Sequence, residues 1–91
     1  MTQEVIKLEG VLNIARVEAL HAQFEELEKN AAPILLNAAD VSRADTSVLQ
    51  LLVSFFKAMA TLEVDVSWQD ASEEFKASAR LLGLTTELKL N

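Results

Sequence analysis

Asp45, Thr46 and Ser47 stand in succession immediately before the apolar run Val48-Leu49-Gln50-Leu51-Leu52. A carboxylate and two hydroxyls in that setting are helix-capping groups, able to accept hydrogen bonds from the unpaired N–H groups of a first turn. A hydroxyl there is also well placed to carry a phosphate. Its charge of about −1.5 to −2 would sit at the positive end of the helix dipole and satisfy the same N–H groups without unfolding the helix. Both chemistries use the same atoms, and the local residues fit either.

Other chemistry is sparse. The one histidine, His21, falls mid-helix beside Leu20 and reads as a surface or boundary side chain. There is no cysteine, so disulfides, thiolate ligands and zinc sets are unavailable, and carboxylates at calcium-loop spacing are missing too. Gly10 and Gly83 are the only glycines, which excludes both a P-loop and a G-x-G-x-x-G phosphate cradle. The expectations are therefore that the protein is not an enzyme and that it uses no metal and no cofactor.

The charge balance narrows the partners. Fourteen acidic and eight basic side chains give a net charge of −6, and Lys7, Arg16, Lys29, Arg43, Lys57, Lys76, Arg80 and Lys89 are dispersed along the chain. Phosphate backbones and anionic membranes would meet no basic patch, so no nucleic acid is expected. The opening MTQEVIKLEG has neither the basic start nor the apolar run of a signal peptide, and no apolar stretch reaches the ~20 residues of a membrane span. A cytoplasmic protein without membrane insertion is expected; nothing in the pattern sets the oligomeric state.

These residues need elements to position them. Residues 4–8, Glu-Val-Ile-Lys-Leu, form a β-branched run closed by Gly10 and predict a strand. Asn13 is a candidate N-cap for a helix with Ile14, Val17, Leu20, Phe24 and Leu27 on one face, ending near Asn30. After Pro33, Ile34 to Ala38 is nearly continuous in apolar character, as in a central strand covered on both faces. From Ser47 to about Leu62 the apolar residues wrap more than half of a helix. Val48, Leu51, Phe55 and Met59 there are either core or an exposed contact strip.

Val64, Val66 and Trp68 alternate with polar residues as a strand, with Trp68 on a sheet face. Asp70 and Glu73 then have capping-box spacing for a helix through Leu82, whose buried stripe is Phe75, Ala79 and Leu82. Gly83 stands at the left-handed C-cap position, Leu84 follows it, and residues 86–90 suggest a short last strand. The alternation implies one α/β domain over residues 1–91, a small and mostly parallel sheet of about four strands with helices packed on it. In such sheets functional loops gather at the carboxyl ends of strands, which directs attention to Ala39 to Ser47.

Beyond this local reading, the chain resembles the STAS family, named for sulfate transporters and anti-sigma factor antagonists. Leu35-Leu36-Asn37-Ala38-Ala39-Asp40-Val41 leading to Ala44-Asp45-Thr46-Ser47-Val48-Leu49-Gln50-Leu51-Leu52 is similar to the family's central "L-D-L-S-x-V … D-S-[ST or A]-G-L-x-x-L-L" signature. Gly10-Val11-Leu12-Asn13 resembles its early "G-x-L-D" turn, and Arg80-Leu81-Leu82-Gly83-Leu84 resembles the end of its third helix. The chain departs from the pattern at Val48, where the family has glycine, and at Asn13, where it has aspartate. It is also one strand short of the usual opening hairpin.

The resemblance implies a STAS-like fold and a stand-alone regulator that binds an anti-sigma or histidine-kinase-like ATPase domain. Ser47 falls on the position phosphorylated in the anti-sigma antagonists, with Thr46 as the second choice. Asp45, Thr46, Ser47, Val48, Leu51, Phe55 and Asn13 are the implied partner-binding residues. The alternative it carries is the cytosolic subunit of an ABC-type lipid transport complex that binds its ATPase, with Thr46 as the key contact.

Overall fold

The computed structural model describes residues 4–90. Strand β1 (Glu4–Leu12) leads through a single 3₁₀ turn (Ile14–Arg16) into helix α1 (Val17–Asn30). Strand β2 (Ile34–Ala44), helix α2 (Thr46–Thr61), strand β3 (Val66–Ala71) and helix α3 (Glu73–Leu81) follow. The strands form one sheet in the order β1-β2-β3, and both pairings are parallel. The expected parallel α/β architecture with β2 at its centre is therefore present, with three strands among the described residues where about four were expected.

The missing strand is the one expected at residues 86–90. Gly83, at φ +70°, stops α3: its N–H donates to the Arg80 carbonyl and that of Leu84 to Ala79, the paired bonds of a Schellman cap. The chain then coils, with Leu88 N–H donating to the Leu84 carbonyl and Leu90 N–H to that of Thr85. Leu88 is fully buried, and its carbonyl accepts from Trp68 Nε1 at 2.6 Å. The apolar residues of the tail thus plug the helical layer and extend no sheet.

Both crossovers step in the same direction across the sheet, and right-handed connections then place their helices on the same face. The core sits between that face and the helices, with Ile6, Leu8, Leu12, Ile34, Leu36, Ala38 and Val66 pointing into it. A file of aromatic rings runs through the helical layer. Phe24 of α1 stacks on Phe55 of α2 at 4.3 Å, Phe56 stacks on Trp68 at 6.0 Å, and Trp68 meets Phe75 of α3 at 5.1 Å.

The other sheet face is not covered by helices. Leu35, Asn37 and Ala39 on β2 are half-buried, and Val5 on β1 is exposed, which corrects the expectation of a central strand buried on both sides. The near-continuous apolar run at Ile34 to Ala38 reflects one buried face plus small or amphipathic side chains on the other. Asn37 Nδ2 donates to Gln69 Oε1 at 2.7 Å there, and Lys7 pairs with Asp40 at 2.9 Å. Hydrogen bonding to Asp40, with the charge of its carboxylate, raises the Lys7 pKa.

Two boundaries move from expectation. Strand β3 runs on through Asp70, so Asp70 and Glu73 form no capping box; the Asp70 carboxylate accepts from the next residue, Ala71 N–H. Ser72 is the N-cap instead, accepting from Phe75 N–H at 3.0 Å while its hydroxyl donates to the Val41 carbonyl at 2.6 Å. That second bond anchors the start of α3 to the central strand. Asn13 does cap, its Oδ1 accepting from Ala15 N–H at 3.0 Å.

Among the described residues no helix is long and apolar enough to cross a membrane. Phe55 is fully buried within the aromatic file, between Phe24 and Phe56. Phe55→Ala is expected to lower the unfolding free energy by about 3–5 kcal/mol, measured by urea denaturation with a native-like m-value.

Candidate functional site

A groove of about 510 Å³ opens at the carboxyl end of the sheet, where four elements converge. Ile14 contributes from the turn after β1, Arg43 and Ala44 from the end of β2, and Asp45, Thr46 and Ser47 from the start of α2. Ser78, Leu81 and Leu82 close the far wall from the last turns of α3. Two hydrogen bonds hold the convergence: Asp45 N–H donates to the Leu12 carbonyl at 2.9 Å, tying the β2 exit to β1, and the Ser72 hydroxyl donates to the Val41 carbonyl, aiming α3 back over β2.

At the start of α2 the polar side chains are not used up in capping. Asp45 is the N-cap by backbone, its carbonyl accepting from Val48 and Leu49 N–H, but its carboxylate makes no hydrogen bond to the first turn. It turns instead to Arg43, with Nε to Oδ1 at 3.4 Å. The expected capping by the Asp45 side chain is thus replaced by an ion pair, because the extended chain before α2 carries Arg43 alongside. Ser47 is half-buried on the groove wall and Thr46 is exposed beside it. Both line the groove.

The rim is apolar. Among the described residues six large hydrophobic side chains are exposed, and three of them border this groove: Ile14 at 75%, Leu81 at 87% and Leu82 at 40%. Isolated exposed apolar residues are ordinary, whereas several converging at one place make the kind of exposed apolar patch that marks an interaction surface.

The structure sorts the sequence-predicted residues into three groups. Asp45, Thr46 and Ser47 lie together at the groove. Asn13 lies just outside it and shapes the turn that presents Ile14. Val48 and Phe55 are core: at 0% and 1% exposure they cannot belong to an exposed contact strip, and neither can Met59 at 0%. Leu51 is half-buried and packs against the same core. The excess apolar surface of α2 is absorbed because one helix face lies on the sheet while its flanks meet α1 and Trp68.

Arg43, Ile14, Leu81 and Leu82 were not singled out by sequence. Spacing puts Ile14 on the apolar face of the first helix and Leu82 in the buried stripe of the third. Ile14 instead belongs to a 3₁₀ turn, whose period differs from that of α1, and Leu82 stands past the last residue of α3. A usable signal was present for Leu81, which at about 100° per residue lies about 120° around the helix from Phe75 and about 160° from Ala79, off the buried stripe.

The chain belongs to the STAS family: a family model described as "Mlab, STAS domain" matches residues 2–90. Among solved structures it is similar to the anti-sigma factor antagonist SpoIIAA in its unphosphorylated form, with a TM-score of 0.76 and 21% identity over 94% of this chain and 78% of that one. It also resembles the protein described as Mglu, with a TM-score of 0.65 and 23% identity. That match covers 76% of this chain and 17% of the other. At these identities the structural likeness establishes a shared fold. No curated protein matches the chain.

Because Leu81 is exposed and contributes nothing to the core, Leu81→Lys is expected to change the unfolding free energy by less than about 0.5 kcal/mol in urea denaturation. A larger loss would show that the rim is needed for folding.

Proposed function

We propose that this chain is a cytoplasmic STAS regulator, a binding module and not an enzyme, that docks an anti-sigma or kinase-like ATPase domain on the groove around Ser47. The observation that carries the reading is the ring of Ile14, Leu81 and Leu82 around the start of α2. The groove gathers hydroxyls, Arg43 and Asp45, while His21 lies on α1 with its side chain facing Glu25 at 3.8 Å.

In this reading Ser47 is the switch. Its phosphate would occupy the positive end of the α2 dipole, over first-turn N–H groups that the Asp45 carboxylate leaves free. The fold would persist and the surface would change. A partner shaped to a neutral hydroxyl within an apolar rim would then meet a dianion beside Asp45, at a cost of several kcal/mol unless it brought cations of its own. The likeness to an unphosphorylated anti-sigma factor antagonist agrees with this chemistry.

A second reading is favoured by the "Mlab" description of the matching family model and by the exposure of Thr46. In it the same groove holds a transporter ATPase, as the cytosolic subunit of a lipid transport complex.

The two readings separate by experiment, starting from affinity capture of the tagged chain from its native cells. For a switchable regulator, Ser47→Asp weakens the recovered partner by on the order of 100-fold, read by calorimetry, with the far-UV spectrum and melting point nearly unchanged. Unchanged affinity removes the switch. For a transporter subunit, Thr46→Arg breaks a complex that otherwise co-purifies with its ATPase, and a chain that purifies without any ATPase removes that reading.

A further inference from the structure

Strand β1 is an edge strand: among the described residues it pairs with β2 alone. Along it Val5, Lys7, Glu9 and Val11 are exposed, while Ile6, Leu8 and Leu12 are buried. The backbone alternates in step with the side chains. Glu4 N–H donates to the Pro33 carbonyl and the Leu12 carbonyl accepts from Asp45 N–H, so the even-numbered residues turn their peptide groups toward β2. The odd-numbered residues turn theirs to the open edge. The β1–β2 register runs from Lys7↔Asn37 to Glu9↔Asp40 and from Gly10↔Val41 to Val11↔Arg43, so both extra residues fall on β2 and β1 keeps its alternation. Gly10, at φ +73°, falls on an even position.

We infer that β1 pairs antiparallel with β1 of a second copy of this chain, about a two-fold axis at Leu8, joining the two sheets into one. Hydrogen-bonded pairs can join only residues that face the open edge, so the axis can fall at Lys7, at Leu8 or at Glu9 and keep the strands substantially overlapped. At Lys7 it opposes two ammonium groups; at Glu9 it opposes two carboxylates. At Leu8 it sets Lys7 against Glu9 of the partner subunit, twice by symmetry, and Val5 against Val11 of the partner subunit, also twice.

The exposed series Val-Lys-Glu-Val is thus its own complement when read in the opposite direction. One register is favoured and its neighbours are repelled, which is the specification an edge strand needs to form a closed pair and not an aggregate. Val5 and Val11, exposed at 51% and 46%, gain cover from each other. Lys7 keeps Asp40 at 2.9 Å with its side chain 55% exposed, leaving room for a second carboxylate. The antiparallel arrangement sends the two grooves to opposite ends of the joined sheet, so self-pairing and docking at Ser47 use different surfaces. The inference stands apart from the proposed function.

Sedimentation equilibrium over micromolar to millimolar chain concentrations tests it. The wild-type chain is expected as a dimer. Lys7→Glu and Glu9→Lys each weaken self-association at least tenfold, since each creates two like-charge pairs across the axis. An equimolar mixture of the two variants regains the dimer mass, because each then opposes the charge the other carries, and the double variant Lys7→Glu/Glu9→Lys dimerises alone. Far-UV spectra and melting curves report folding, and Glu9→Lys leaves the Lys7–Asp40 pair in place. A wild-type chain that stays monomeric throughout overturns the inference. So do single variants that associate as tightly as wild type, or folded variants whose mixture regains no dimer.

Discussion

Handedness is the constraint on which the rest of this structure depends. Two successive parallel connections, each right-handed and each stepping the same way across the sheet, leave α1 and α2 on one face. All the large side chains that must leave water then converge on a single layer. Phe24, Phe55, Phe56, Trp68 and Phe75 meet there as a continuous file linking α1, α2, β3 and α3. Burial of this kind contributes roughly 25 cal/mol per Å² of apolar surface and is indifferent to direction. The crossovers are what give it one.

The same constraint builds the groove. Parallel strands bring all their carboxyl ends to one edge of the sheet, so the exit of β1, the exit of β2 and the entrance of α2 are necessarily neighbours. Helix α3 joins them because the Ser72 hydroxyl bonds the Val41 carbonyl, turning the chain back over the central strand. Its inner face meets the core and its outer face solvent. Phe75 and Ala79 take the core, and Leu81 is left outward beside Ser47. An apolar rim around a helix N-terminus is the result.

One helical layer also has a cost in exposure. The opposite sheet face carries a polar network of Lys7, Asp40, Asn37 and Gln69, with Val5 and the half-buried Leu35 beside it. That composition is compatible with water and explains how an uncovered face persists without a second layer. The β1 edge is different in kind, since peptide groups there seek partners whatever the side chains beside them.

The alternation of strands and helices, the central place of β2, the left-handed stop at Gly83 and the location of Asp45, Thr46 and Ser47 at the head of α2 are all legible in the order of residues. Those features follow from local periodicity, capping chemistry and the rule of connection, all of which act over a few residues or a single crossover. Tertiary structure alone decided that Val48, Phe55 and Met59 are interior while Ile14, Leu81 and Leu82 are exterior. It also decided that Asp45 faces Arg43 and that residues 86–90 coil under Trp68. An apolar pattern states how much surface seeks burial, whereas the available cover depends on how many layers the crossovers place on each face. That number is a property of the assembled sheet and is written in no single segment.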